Sequence, residues 1–260
     1  MKKLIVSIIC AFISLSAIAQ ADLGRMEKYG NHFPYNLQPS ELNINGKISQ
    51  VTYENYRAQY RFGELEIGNR VIGSALYKYN EKGQLIQFQK NGEGWFWYFG
   101  NNEWNLQYNT NGNIESPNHI YENGKLSKVI WGGSVYRIFY SNGTLSKVTK
   151  YNSDGEESYT SYFQNGDMTK EVTTPSRFGG YSGETRLYTY TNHKIINGDG
   201  CKYSYNNKGL VSKIICRGTP YEYQYEYDTK GNWVKRIRIE KDKNGYTSGI
   251  VLTIRKIEYQ

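Results

Sequence analysis

Few side chains in this 260-residue chain stand at spacings that do chemistry. Histidine occurs three times, as His32, His119 and His193, and none belongs to an H-E-x-x-H or comparable cluster. Each reads first as a turn or surface residue. Cys201 and Cys216 lie fifteen positions apart with no second pair, which is not a structural zinc pattern. Neither a metal nor a cofactor is expected. Gly179-Gly180-Tyr181-Ser182-Gly183 is glycine-rich but lacks the Lys-Ser/Thr of a phosphate loop, and no G-x-S-x-G elbow is present. Hydrolysis of a glycoside needs two carboxyls on opposite sides of a groove. Glu93 and Glu103, which flank an aromatic segment, are the candidates for that role. Asp154, Asp167, Asp199 and Asp228 stand at or beside turns, where a structural hydrogen bond accounts for them. No catalytic residue is assigned.

Aromatic side chains are the residues in excess, with 26 Tyr and five Trp. Trp95-Phe96-Trp97-Tyr98-Phe99 is an unbroken aromatic run, and Trp104 follows after Gly100-Asn101-Asn102. In a strand, alternation places Trp95, Trp97 and Phe99 on one face and Phe96 and Tyr98 on the other. Tyr221, Tyr223, Tyr225 and Tyr227 likewise alternate with Glu222, Gln224 and Glu226. Such rows either pack a core or form a platform on which sugar faces or partner side chains stack. The ligand-binding candidates are therefore Trp95, Trp97, Trp104, Tyr221, Tyr223 and Tyr225.

The elements that would position these residues are hairpins. Beyond the N-terminal segment no stretch repeats apolar residues at helical spacing over three turns, whereas period-two alternation is general. The strands are joined by a recurring phrase: an aromatic residue, a short polar turn ending in glycine, then an apolar residue. Tyr79-Asn80-Glu81-Lys82-Gly83-Gln84-Leu85 and Tyr227-Asp228-Thr229-Lys230-Gly231-Asn232-Trp233 are two copies. Asn or Asp starts such a turn by bonding nearby backbone, and glycine accepts the positive φ that closes it. The turn-forming glycines are Gly83, Gly112, Gly124, Gly143, Gly155, Gly166, Gly209 and Gly231. Asn123-Gly124, Asn142-Gly143 and Asn165-Gly166 predict two-residue hairpin loops. Lys128, Lys147, Lys170, Lys213 and Lys235 each follow a turn at similar spacing. They read as solvent-face or sheet-edge charges, with a basic ligand-binding ladder as the alternative. The fold class is all-β, a single-layer or spiralling antiparallel sheet of repeated hairpins over residues 20–260 as one domain.

Residues 1–19 read as a secretory signal peptide: Lys2 and Lys3, an apolar Leu4–Leu15, then Ala17-Ile18-Ala19. Cys10 lies inside the apolar core, so a lipoprotein signal is not expected. The formal charge is +8, and +6 without Lys2 and Lys3, with Lys, Arg and Glu interspersed. No basic block forms, so nucleic acid is not an expected partner. No further apolar run is long enough for a transmembrane helix. The expected location is periplasmic or secreted. In that oxidising setting Cys201 and Cys216 become disulfide candidates. They fall opposite each other if Lys208-Gly209 alone forms the loop between them; with a three- or four-residue loop the register moves and they need not face each other. The alternative is two half-buried cysteines packing as small apolar groups.

Tyr225-Glu226-Tyr227-Asp228-Thr229-Lys230-Gly231-Asn232-Trp233-Val234-Lys235-Arg236 resembles the tyrosine–aspartate repeat of the RHS/YD family, and residues 77–86 and 203–213 look like diverged copies. Short copies such as Tyr121-Glu122-Asn123-Gly124-Lys125-Leu126 resemble the two-stranded units of MORN-like repeats. The chain as a whole looks like small exported repeat proteins of Bacteroidetes. The resemblance implies stacked or spiralling hairpins. Large family members enclose a toxic cargo, but this chain has too few repeats for a shell, and toxin delivery is not carried over. The expectation is a non-enzymatic exported scaffold that binds a cell-surface protein or a glycan. The alternative is a carbohydrate-active enzyme or accessory module built on the Trp95–Trp104 region.

Overall fold

The computed structural model describes residues 44–92, 102–131, 133–165, 167–175, 183–198 and 200–260. The signal segment 1–19, the lead-in 20–42, Glu93, Trp95, Trp97, Gly166, Asp199, His32 and most of the 175–184 loop lie outside the described residues. The protein is all-β. Seventeen strands are described, and every pairing between neighbours is antiparallel. The described residues fall into two compact units, one within 107–198 and the other formed by 44–106 together with Gly200–Gln260. Among the described residues no helix is long and apolar enough to cross a membrane.

The second unit holds β1 (Ile48–Arg61), β2 (Glu64–Tyr79), β3 (Leu85–Gly92) and β4 (Asn102–Asn105). It also holds β13 (Cys201–Tyr205), β14 (Val211–Cys216), β15 (Thr219–Tyr227), β16 (Trp233–Lys241) and β17 (Thr247–Tyr259). Strands adjacent in sequence pair with each other, and β1 also pairs with β17 through Val51↔Ile257 and Arg57↔Val251. The first and last described strands thus lie side by side. Ile48, Val51, Tyr77, Tyr79, Leu85 and Phe88 form the core beneath them, with Tyr53 and Ile257 packed against it.

The first unit runs in sequence order: β5 (His119–Glu122), β6 (Lys125–Trp131), β7 (Ser134–Ser141), β8 (Thr144–Tyr151), β9 (Glu157–Gln164), β10 (Asp167–Thr173), β11 (Glu184–Thr191) and β12 (Lys194–Gly198). One face is covered, with Val129, Tyr136, Ile138, Val148 and Tyr159 buried.

The turns explain the recurring phrase. Asn80, Asn109, Asn152, Asn206, Asp228 and Asp242 make the same hydrogen bonds. The side-chain Oδ1 accepts from the amides two and four residues on, as with Lys230 at 2.9 Å and Asn232 at 2.8 Å from Asp228. The backbone carbonyl accepts from the glycine three residues on. Gly83, Gly112, Gly124, Gly143, Gly155, Gly209 and Gly231 all have φ between 74° and 81°. The strand after the turn carries one extra residue, Ile86 after Gly83 and Val234 after Gly231 for example, so the aromatic of the phrase lies opposite a bulge. A Cβ on Gly231 would meet nothing closer than 4.0 Å, so its requirement is conformational. Gly231→Val is expected to cost about 1–3 kcal/mol. An unchanged melting temperature would show that the positive φ is not needed.

Cys201 and Cys216 are directly paired and joined, with an S–S distance of 2.03 Å. The loop is longer than Lys208-Gly209, but the register shift at Ser204/Tyr205 offsets the extra residue and returns the cysteines to opposite positions. A disulfide is a feature of an extracytoplasmic protein, because reducing compartments keep thiols free.

Candidate functional site

The tyrosine row 221–225 is a packed face. Tyr223 is buried with Cys201 and Ile214, and Tyr221 and Tyr225 are half-buried against them. The Tyr225 hydroxyl donates to the Val211 carbonyl at 2.8 Å, and its ring meets Trp233 edge-on at 6.1 Å. Trp104 stands in β4 opposite Phe88. His119 is buried in β5, where burial lowers its pKa. His193 Nδ1 lies 3.0 Å from Asp167 Oδ2, and burial raises the Asp167 pKa against the opposing pull of His193. Among the described residues no group of three His, Cys, Asp or Glu could hold a metal ion.

Two of the spaced lysines, Lys147 and Lys170, stand on the solvent face in line with exposed apolar side chains. Phe139 pairs with Lys147, Lys147 with Tyr162, Tyr162 with Lys170, and Lys170 with Leu187. Directly paired residues share a face. The five side chains therefore form one line across β7 to β11, about 19 Å long at ~4.8 Å per strand. The line lies on the face opposite Tyr136 and Ile138. Phe139 and Tyr162 are each 38% exposed, and Leu187 is 67% exposed.

Within the line, cations lean on rings. Lys147 Nζ is 4.2 Å from the Phe139 ring centre, and Lys170 Nζ is 5.4 Å from that of Tyr162. Beside it Arg137 lies 5.4 Å from the Tyr151 ring. Thr149 and Thr160, hydrogen-bonded to each other at 3.0 Å, are buried between these taller side chains. The result is an open strip in which rings and positive charges alternate beside the buried Thr149 and Thr160. An exposed lysine–ring contact is worth about 0.5–1 kcal/mol. A ligand carboxylate can therefore draw the ammonium aside and free the ring face.

A second cluster, in the other unit, is structural. The Tyr259 hydroxyl donates to Asp228 Oδ2 at 2.5 Å and accepts from Asn232 Nδ2 at 2.6 Å. Asn232 Oδ1 accepts from the Asn45 amide at 2.6 Å. Burial alone would raise the Asp228 pKa. The Tyr259 hydroxyl, the Asn232 and Lys230 amides and the charge of Arg255 together hold it below the usual carboxylate value.

No protein-family model matches the chain, and no curated protein does. Among solved structures it is similar to a porin-like protein from Bacteroides uniformis, at 12% identity and a TM-score of 0.42, over 81% of this chain and 98% of that one. It is also similar to a LolA superfamily protein from Nitrosomonas europaea, at 12% identity and a TM-score of 0.20, over 94% of each chain. The TcdB2-TccC3 structure matches at 11% identity and a TM-score of 0.17, over 82% of this chain and 16% of that one. These likenesses are loose, and the reading of the site rests on its own residues.

Proposed function

We propose that the protein is an exported, non-enzymatic β-repeat scaffold that binds an acidic carbohydrate along the Phe139–Lys147–Tyr162–Lys170–Leu187 line. The observation that carries this reading is the alternation of exposed ring and cation across consecutive strands. Sugar rings present apolar faces that stack on aromatics, and a uronate or sulfate supplies the counter-charge to each lysine. An open line about 19 Å long at ~4.8 Å per strand fits an extended polymer better than a small molecule, which prefers a concave pocket. The shared hydrogen-bond pattern of the six Asx turns supports the RHS/YD-like repeat reading, and the disulfide is consistent with periplasmic or secreted placement.

Calorimetric titration with an oligogalacturonate tests the proposal. Phe139→Ala/Tyr162→Ala is expected to weaken binding about tenfold or more, at ~1 kcal/mol per ring. Lys147→Gln/Lys170→Gln is expected to weaken it most at low salt, and the variant's remaining affinity should fall less than the parent's as salt is raised. The charge-matched control Lys213→Gln/Lys235→Gln should bind like the parent. Equal losses in both lysine pairs would reduce the effect to net charge and remove the case for a site.

A further inference from the structure

A second row of side chains runs beside the ring-and-lysine line. Lys128 pairs with Arg137, Arg137 with Thr149, Thr149 with Thr160, and Thr160 with Val172. On β7 to β10 each member of this row stands two residues from a member of the line, so the two rows share a face. Together they hold Lys128, Arg137, Lys147 and Lys170, and neither row contains Asp or Glu.

Lys128 and Arg137 are directly opposed across the β6–β7 hairpin, where like charges repel. Arg137 is exposed and Lys128 half-buried. Among the described residues neither makes an ion pair with a carboxylate. Glu157, opposite Tyr151 on β9, is engaged instead by the Thr160 hydroxyl at 2.6 Å. The chain supplies its own comparison. Leu126-Ser127-Lys128-Val129-Ile130 has a counterpart in Val211-Ser212-Lys213-Ile214-Ile215, and in both copies the residue nine positions beyond the lysine faces it across the hairpin. In the second copy that residue is Glu222, 3.5 Å from Lys213. In the first it is Arg137. One copy thus balances the pair and the other doubles its charge, on the face that carries the line.

We propose that Lys128 and Arg137 clamp a sulfate ester, which makes the polymer on the line a sulfated glycan. The inference rests on the carbohydrate reading and adds the chemical class of the ligand. A guanidinium fork takes two oxygens of an oxyanion at once. One fork therefore occupies both oxygens of a carboxylate, whereas a sulfate ester keeps a third terminal oxygen for the lysine opposite. Arg137 stands roughly 7 Å from Phe139 along β7, and Lys128 lies one strand further, ~4.8 Å away. Both side chains are long enough to meet a sulfate carried by a sugar stacked on Phe139.

Calorimetric titration with a chondroitin 6-sulfate hexasaccharide, and with unsulfated chondroitin of equal length, tests the clamp. The parent is expected to bind the sulfated chain about tenfold more tightly, the effect of one charge-assisted contact. Lys128→Gln/Arg137→Gln should bind the two chains alike, and Lys213→Gln/Lys235→Gln should keep the parent's preference. Arg137→Glu recreates the pairing of the second copy and should melt no lower than the parent. Three results would overturn the clamp and leave carbohydrate binding by the line intact: equal affinity of the parent for both chains, a preference that survives in Lys128→Gln/Arg137→Gln, or a lower melting temperature for Arg137→Glu. Binding of neither chain would also overturn it, and the oligogalacturonate titration then reads whether the line binds an acidic sugar at all.

Discussion

Arg255→Ala is expected to destabilise the protein by about 3 kcal/mol, a loss in the range for breaking a buried charged contact. Arg255 is 1% exposed in β17. Its Nε donates to the Trp233 carbonyl at 2.6 Å, and its guanidinium lies 3.9 Å from the Trp233 ring centre. Trp233 is itself buried and closes the Asp228 turn, so the arginine ties the last strand to the sharpest copy of the repeat. Alanine would leave the ring without its stacking partner and the carbonyl without this donor. It would also take away a positive charge that helps keep Asp228 ionised. Arg255→Lys keeps the charge but not the planar stack, and should recover only part of the loss. Denaturant titration reads both variants, with the midpoint moving and the slope constant. A midpoint equal to the parent's would mean that the buried guanidinium organises nothing.

Loss of the disulfide is expected to cost a similar amount. Cys201→Ser/Cys216→Ser opens a cross-link with a sequence separation of 15, for which chain entropy gives about 3 kcal/mol. The bond underlies the Tyr223 cluster, so packing adds to the entropic term. The double variant should melt well below the parent, and the parent should fall towards it when reduced. Thiol titration of the denatured, unreduced mature protein should find no free thiol. Two reactive thiols per chain would contradict the bond.

Much of this fold was legible because the turns carry their own chemistry. An Asx residue followed three positions later by glycine specifies its hydrogen bonds locally, and each described copy read from the sequence forms a turn. The sixth Asx turn, Asp242 to Tyr246, was missed because Lys241 stands where the phrase has an aromatic. Phe62-Gly63, Asn192-His193 and Arg217-Gly218 also form positive-φ loops without an Asn-Gly pair to announce them. The pairing of β1 with β17 joins segments some two hundred residues apart, and no local pattern encodes it.

The candidate site was half legible. Lys147 and Lys170 stood out by spacing, but their alignment with Phe139 and Tyr162 depends on cross-strand register. That register is set by the bulges at Phe139/Tyr140, Lys150/Tyr151 and Met168/Lys170. A one-residue slip would put the same lysines on the other face. The tyrosine row drew attention for its regularity, yet regular alternation marks a buried face as well as an open one. Burial of Tyr223 comes from the strands that pack around it and is not encoded in its own spacing.

Carbohydrate binding through the ring-and-lysine line is read by a glycan array probed with the mature protein. The parent is expected to be retained on uronate-bearing or sulfated glycans over their neutral counterparts, and Phe139→Ala/Tyr162→Ala to lose that signal. Absence of binding to every glycan, or an undiminished signal in the double variant, would contradict it.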